Sequence, residues 1–147
     1  MVTIRGMAVV EWRVHLASPP EVVFDALATD GGRARFWAES AVRRGGQIDW
    51  RFPGGQTWRG PVLAEDRPRL FSVRYVGGTR ATFTLSADGQ GGTDVHLVDE
   101  GVADDDLMQV LPGWVSVLLS VKACLDHGAD LRNHDRERTW DERYCDN

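Results

Sequence analysis

The sequence predicts an α+β fold: one strand, two short helices, six further strands in antiparallel succession and a long C-terminal helix, giving a sheet of about seven strands. Three observations lead there. The middle of the chain alternates apolar and polar residues in runs of about five to ten, separated by glycine turns. After Val102 the apolar period lengthens from two to between three and four. A helix-start pattern follows the first alternating run.

From Ala8 to Leu16, Val10, Trp12, Val14 and Leu16 share one face, and Glu11, Arg13 and His15 the other. Ser18-Pro19-Pro20-Glu21 then reads as a capping box, with Ser18 as cap, Pro19 at the first helical position and Glu21 reaching back. Val23, Ala26 and Leu27 form the stripe of this helix, Gly31-Gly32 is expected to end it, and a second short helix is expected over residues 33–37.

Glycines at 45–46, 54–55, 77–78 and 89–92 punctuate the strands. Ile48, Trp50 and Phe52 share a parity, as do Phe71, Val73 and Tyr75, then Ala81, Phe83 and Leu85, then Val95 and Leu97. The opposite parity is polar, so the sheet has one wet face and one buried face. Gly60-Pro61 predicts a bulge or an edge position. Leu107, Leu111, Trp114, Leu118, Val121 and Leu125 make the long helical stripe. Pro112 is costly inside a helix, so the main helix is expected to begin near it and to end at Gly128. Residues 129–147 form a polar tail whose Trp140 and Tyr144 give it apolar area with which to fold back onto the rest or onto a second copy. The expected organisation is one domain over 1–147, with its core at 8–128.

The chain has 147 residues and a net charge of −5, unevenly spread. Residues 1–80 carry twelve arginines against eight acids, and residues 81–147 five basic residues against fourteen acids. That balance argues against nucleic acid as a partner over any large surface. The apolar stretch 114–121 is short for a membrane span and the first ten residues lack a signal-peptide core, so no membrane partner and a cytoplasmic location are expected. Cys124 and Cys145 are expected as free thiols.

The order of elements, with the segment 17–27, Trp37, Gly60-Pro61-Val62, Arg69-Leu70, Gly92-Thr93, Gly101 and Gly113-Trp114, resembles the START or SRPBCC helix-grip superfamily. Within it the chain is most similar to the branch of the heat-shock-protein-90 ATPase activator C-terminal domain, in particular to uncharacterised bacterial members. Two positions depart from the usual pattern, Phe24 and Asp99. The resemblance implies a curved sheet wrapped around the C-terminal helix, with a cavity between them for a small apolar or aromatic ligand.

Residues of the inward parity and of the helix are then the candidate ligand-binding set: Trp37, Trp50, Phe52, Trp58, Phe71, Tyr75, Phe83, Leu97, Asp99, Trp114 and Leu118, with Trp37 and Trp58 near an opening. Large rings at sheet parity also serve as plain core. Asp99 continues the inward parity of Val95 and Leu97, and an inward carboxylate must be paired, protonated or used. It is a structural partner, a ligand anchor or an acid/base group, with Tyr75 as a possible donor to it, and a bulge at 99–100 would put Glu100 inside instead. His127, Asp130, His134 and Asp135 match no metal-site spacing, so no metal and no cofactor is expected. Three functions stay open: binding of a small apolar or aromatic molecule; an enzyme of cyclase, dehydratase or hydrolase type using Asp99 and Tyr75; and a chaperone-partner protein. A homodimer is compatible with each.

Overall fold

A computed structural model describes residues 6–147. Its elements are β1 (Met7–Leu16), α1 (Pro20–Ala28), α2 (Asp30–Phe36), β2 (Ser40–Arg44), β3 (Gln47–Arg51), β4 (Thr57–Asp66), β5 (Leu70–Tyr75), β6 (Thr79–Ala87), β7 (Thr93–Ala103) and α3 (Leu107–His127). The strands form one antiparallel, curved sheet in the order β1-β7-β6-β5-β4-β3-β2. Each strand from β2 to β7 pairs with the next in sequence, and β1 closes the sheet against β7. The wrapped α3 lies across the inner face, against β1 and β7, with α1 and α2 beside it. This is the helix-grip architecture that the element order predicts.

The strand parities hold. Ile48, Trp50, Phe71, Val73, Ala81, Phe83, Leu85, Val95 and Leu97 are buried on the inner face. Trp12 departs from its row: it has the inward parity, but β1 is an edge strand and the indole remains 43% exposed.

Helix boundaries differ from expectation where a distant partner intervenes. Pro19 is the N-cap of α1 and Pro20 its first residue, with no side-chain cap. Ser18 is drawn instead to the end of α3, its hydroxyl donating to Asp126 Oδ1 at 2.9 Å, while Oδ2 accepts from Ala17 N at 2.8 Å. Burial pushes the Asp126 carboxyl up, but these donors outweigh it and hold the group below the usual carboxylate range. Thr29, rather than the glycine pair, separates the first two helices, and its hydroxyl accepts from Gly32 N at 3.1 Å. Gly31 and Gly32 therefore fall in the first turn of α2.

Pro112 lies inside α3, which begins at Leu107. Near the start of a helix a proline removes a single i to i−4 bond, and the carbonyl left over belongs to Met108, an 85% exposed residue that water can serve. Gly128 caps the other end with φ 62°, as expected. By length and composition residues 104–127 suffice to cross a membrane. Here their Trp114, Leu118, Val121 and Cys124 side is gripped by the sheet.

Gly60-Pro61 is neither at an edge nor at the bulge, which falls just beyond, between Val62 and Ala64. Pro61, opposite Gln47, is the last residue of β4 paired with β3, and pairing with β5 begins at Val62. Gly60 has to be glycine because a Cβ there would strike the Arg74 carbonyl.

One buried charge went unnoticed in the sequence. Arg33 is fully buried; its guanidinium donates to Ala41 O through Nε (3.2 Å) and Nη2 (2.9 Å), to Leu27 O through Nη1 (3.1 Å) and to Asp30 Oδ1 (2.7 Å). It ties the end of α1, the body of α2 and the edge strand β2 together.

Candidate functional site

The centre of the grip is filled by Trp37. It follows α2 directly, and its ring lies 4.6 Å from Trp50, 5.4 Å from Phe83, 5.7 Å from Tyr75 and 5.9 Å from Trp114, centroid to centroid. That plug displaces the open space toward the first half of α3. A cavity of about 360 Å³ lies there, lined by Trp37, Phe52, Tyr75, Asp99 and Trp114 on the inside. Val110, Gly113 and Val117 of α3 form one wall, and Pro53 and Gln56 of the β3–β4 turn form the rim.

Five of the eleven candidate residues thus border the space: Trp37, Phe52, Tyr75, Asp99 and Trp114. Trp50, Phe71, Phe83, Leu97 and Leu118 are core, sealed behind Trp37 and the middle of α3. Trp58 does not reach the cavity. Its indole N–H donates to Arg74 O at 3.1 Å, and the ring borders a separate groove with Ser40, Val42 and Arg59.

The tail supplies the remaining cover, which the sequence signalled only through Trp140. Arg132 donates to Ala38 O and Ala34 O, each at 3.0 Å, so it fastens the tail to the end of α2. Asp130 is flanked by Arg132 (3.0 Å) and His134 (2.6 Å). Burial alone would raise the Asp130 carboxyl, but Arg132 and His134 hold it far below the ordinary range. The polar residues at 130–135 are thereby spent on fixing the tail. Trp140 then reaches the cavity, within 3.6 Å of where a Gly113 Cβ would stand, and Ser116 Oγ donates to Cys145 O at 2.6 Å. Cys124 is buried and Cys145 exposed, both as free thiols. Tyr144 stays 40% exposed and is not an anchor of this cover.

The polar end of the cavity is Asp99, 1% exposed. The bulge foreseen nearby falls at Gly101, φ 84°: Val9 faces Glu100 and Ala8 faces Val102, so Gly101 is the extra residue. Asp99 therefore keeps the inward parity, Glu100 stays outside, and Val102 is carried back into the core. Asp99 Oδ2 accepts from Trp114 Nε1 at 2.7 Å. The expected donor, Tyr75, makes no hydrogen bond to Asp99; its oxygen accepts from Trp37 Nε1 at 3.0 Å. Asp99 Oδ1 and the nearby Thr79 Oγ1 are buried without a hydrogen-bond partner. Burial pushes the Asp99 carboxyl above its ordinary value, against the pull of Trp114 and of the adjacent Thr79 hydroxyl. Burial likewise raises the Tyr75 phenol, which therefore stays protonated.

A stability test follows for Asp99. Its folded state holds a proton that the unfolded chain releases near 3.8, so the stability of the neutral form is complete below that value and is lost as pH rises through the folded pKa. Asp99→Asn has no such proton. The melting temperature of the variant minus that of wild type should rise from pH 4 to pH 8; a difference that falls over this range would mean that the folded protein stabilises the ionised carboxylate.

Among the described residues no group of three or more His, Cys, Asp or Glu side chains is placed to hold a metal ion. What the cavity offers is aromatic surface, two polar oxygens at its inner end and a cover.

The family model described as Activator of Hsp90 ATPase homolog 1-like protein matches residues 17–126. No curated protein matches the chain. Among solved structures, the solution structure of the Aha1 dimer from Colwellia psychrerythraea is 24% identical with a TM-score of 0.74, over 83% of this chain and 98% of that one. A Staphylococcus saprophyticus protein is 22% identical with a TM-score of 0.73, over 85% of this chain and 96% of that one. DynU16, from the dynemicin biosynthetic locus, is 18% identical with a TM-score of 0.69, over 82% of this chain and 48% of that one. At such identities these structures establish the fold. The match over residues 17–126 goes further: the chain belongs to the Activator of Hsp90 ATPase homolog 1-like family.

Proposed function

We propose that the protein binds a small apolar or aromatic molecule in the cavity between the sheet and α3. The observation that carries this reading is a space of about 360 Å³ with aromatic walls and a buried polar group without a partner at its end. Sites for small organic molecules have this composition, and a buried polar atom left unpaired in a folded protein calls for a partner. Burying about 300 Å² of apolar ligand surface contributes about 7 kcal/mol gross at 25 cal/mol per Å². The costs of association reduce that to a weak or moderate affinity. Free thiols suit a reducing, cytoplasmic setting.

Naphthalene-sized probes should quench tryptophan fluorescence saturably. Gly113→Leu places a side chain against Trp140 inside the cavity and removes a helix-disfavouring glycine, so the variant should fold and lose the quench. A quench that persists unchanged in Gly113→Leu would place the probe elsewhere.

A homodimer, compatible with the sequence, is part of this proposal. Among the described residues β1 is an unpaired sheet edge with exposed Met7, Val9 and Trp12, and the Colwellia relative is described as a dimer.

A further inference from the structure

We propose that the cavity selects aromatic molecules that carry a carbonyl oxygen, held at its inner end by Tyr75 and Asp99 acting together as hydrogen-bond donors. The inference rests on the reading of the cavity as a ligand site and adds the chemical class of the ligand.

Two indoles set the roles. An indole N–H can only donate. Trp37 Nε1 donates to Tyr75 Oη at 3.0 Å, which makes that oxygen the acceptor and leaves its own hydrogen free; the hydroxyl finds no acceptor among the described residues. Trp114 Nε1 occupies Asp99 Oδ2 at 2.7 Å, which leaves Oδ1, of a residue that borders the cavity, buried beside the Thr79 hydroxyl and without a well-formed hydrogen bond. Tyr75 and Asp99 are brought together by the same indole, since the Tyr75 ring lies 4.9 Å from that of Trp114.

No lysine or arginine lines the cavity to balance a carboxylate. The titratable groups around Asp99 are Tyr75 on β5, Glu100 beside it on β7, and Asp141 and Cys145 across the space on the tail. The acids among them disfavour a second negative charge, and burial acts in the same direction. When this carboxyl is neutral its hydrogen falls on Oδ1, the oxygen that Trp114 leaves, and both oxygens at the inner end then present O–H groups. A carbonyl oxygen has two lone pairs and can accept from both. An amine offers hydrogens where the site already has them, and an anion would find no counter-charge. The walls of Trp37, Phe52, Trp114 and Trp140 supply the preference for a flat aromatic body.

The test compares 2-acetylnaphthalene with its isostere 2-isopropenylnaphthalene, in which C=CH₂ replaces C=O, by calorimetry on the full chain. The ketone should bind about tenfold more tightly at low pH, as one well-made hydrogen bond allows. Its advantage should fade as pH rises and Asp99 ionises. Tyr75→Phe should reduce the ratio severalfold. Asp99→Asn retains an N–H donor while its oxygen still accepts from Trp114, so the preference should survive and its pH dependence vanish. Equal binding of both probes overturns the carbonyl assignment and leaves the cavity reading intact. A ketone affinity that rises at every pH in Asp99→Asn would show an ionised, accepting Asp99 and overturn it as well. Failure of every naphthalene to bind overturns both readings.

Discussion

Replacing Arg33 by methionine should lower the stability of the protein by about 3–5 kcal/mol, the range found when one partner is removed from a buried charged network. Methionine fills much of the same volume, so the loss is of polar contacts rather than packing. Ala41 O would lose two donors and Leu27 O one. Leu27 lies in the last turn of α1, where helix carbonyls have no partner within the helix, and Arg33 is the group that serves this one. At roughly 2–4 °C per kcal/mol for a chain of this size, the melting temperature should fall by on the order of 10 °C. Arg33→Lys should recover little, because three donors on one nitrogen cannot span the positions that a planar fork reaches. A melting temperature within a degree or two of wild type in Arg33→Met would show that the two carbonyls find other partners.

Truncation after Ala129 should cost about 2–4 kcal/mol. Arg132 makes two hydrogen bonds to backbone carbonyls, and charge-assisted bonds contribute about 1.5–3 kcal/mol each. The burial of part of Trp140 adds to this, and the entropy of ordering eighteen residues offsets much of the sum. The cover would go with the tail, so bound probe should exchange faster as well as melt out earlier. Light scattering in parallel tests the proposed dimer: it requires twice the chain mass for the full chain, and a fall to monomer on truncation would put the tail in the interface. In strong acid the full chain should approach the truncated one. The lowered Asp130 pKa contributes stability above the ordinary carboxylate range that is lost as pH falls below it. If truncation changes neither melting nor exchange, the tail does not act as a cover.

The parts that were legible in the sequence are those set by local geometry. Strand parity identifies the inner face and places Asp99 on it, because a pleated chain alternates whatever surrounds it. Gly128 ends α3 through its own backbone freedom. The unread parts depend on distant partners. Ser18 has every local reason to cap α1, and Asp126, brought over from α3, outcompetes the cap. Pro112 carries a penalty calibrated on helix interiors, whereas its position near the start of α3 makes one solvated carbonyl the whole loss. Which part of the inner face borders open space is set in the same way. Nothing local to Trp37 says that it will lie at the meeting point of Trp50, Tyr75, Phe83 and Trp114, and that single ring decides which residues of the inner face border open space.

The pairing of β1 with β7 also governs when the site can exist during synthesis. Strands β2 to β6 pair with sequence neighbours, so those hairpins can form as the chain emerges. The first strand has to wait, its edge unpaired, until Thr93–Ala103 has been made, and closing so long a loop is among the slow events of folding. Asp99, Trp114 and Trp140 all belong to this last third of the chain. A nascent protein therefore exposes a half-built, aromatic-rich sheet before the residues that line and cover its cavity have all been made.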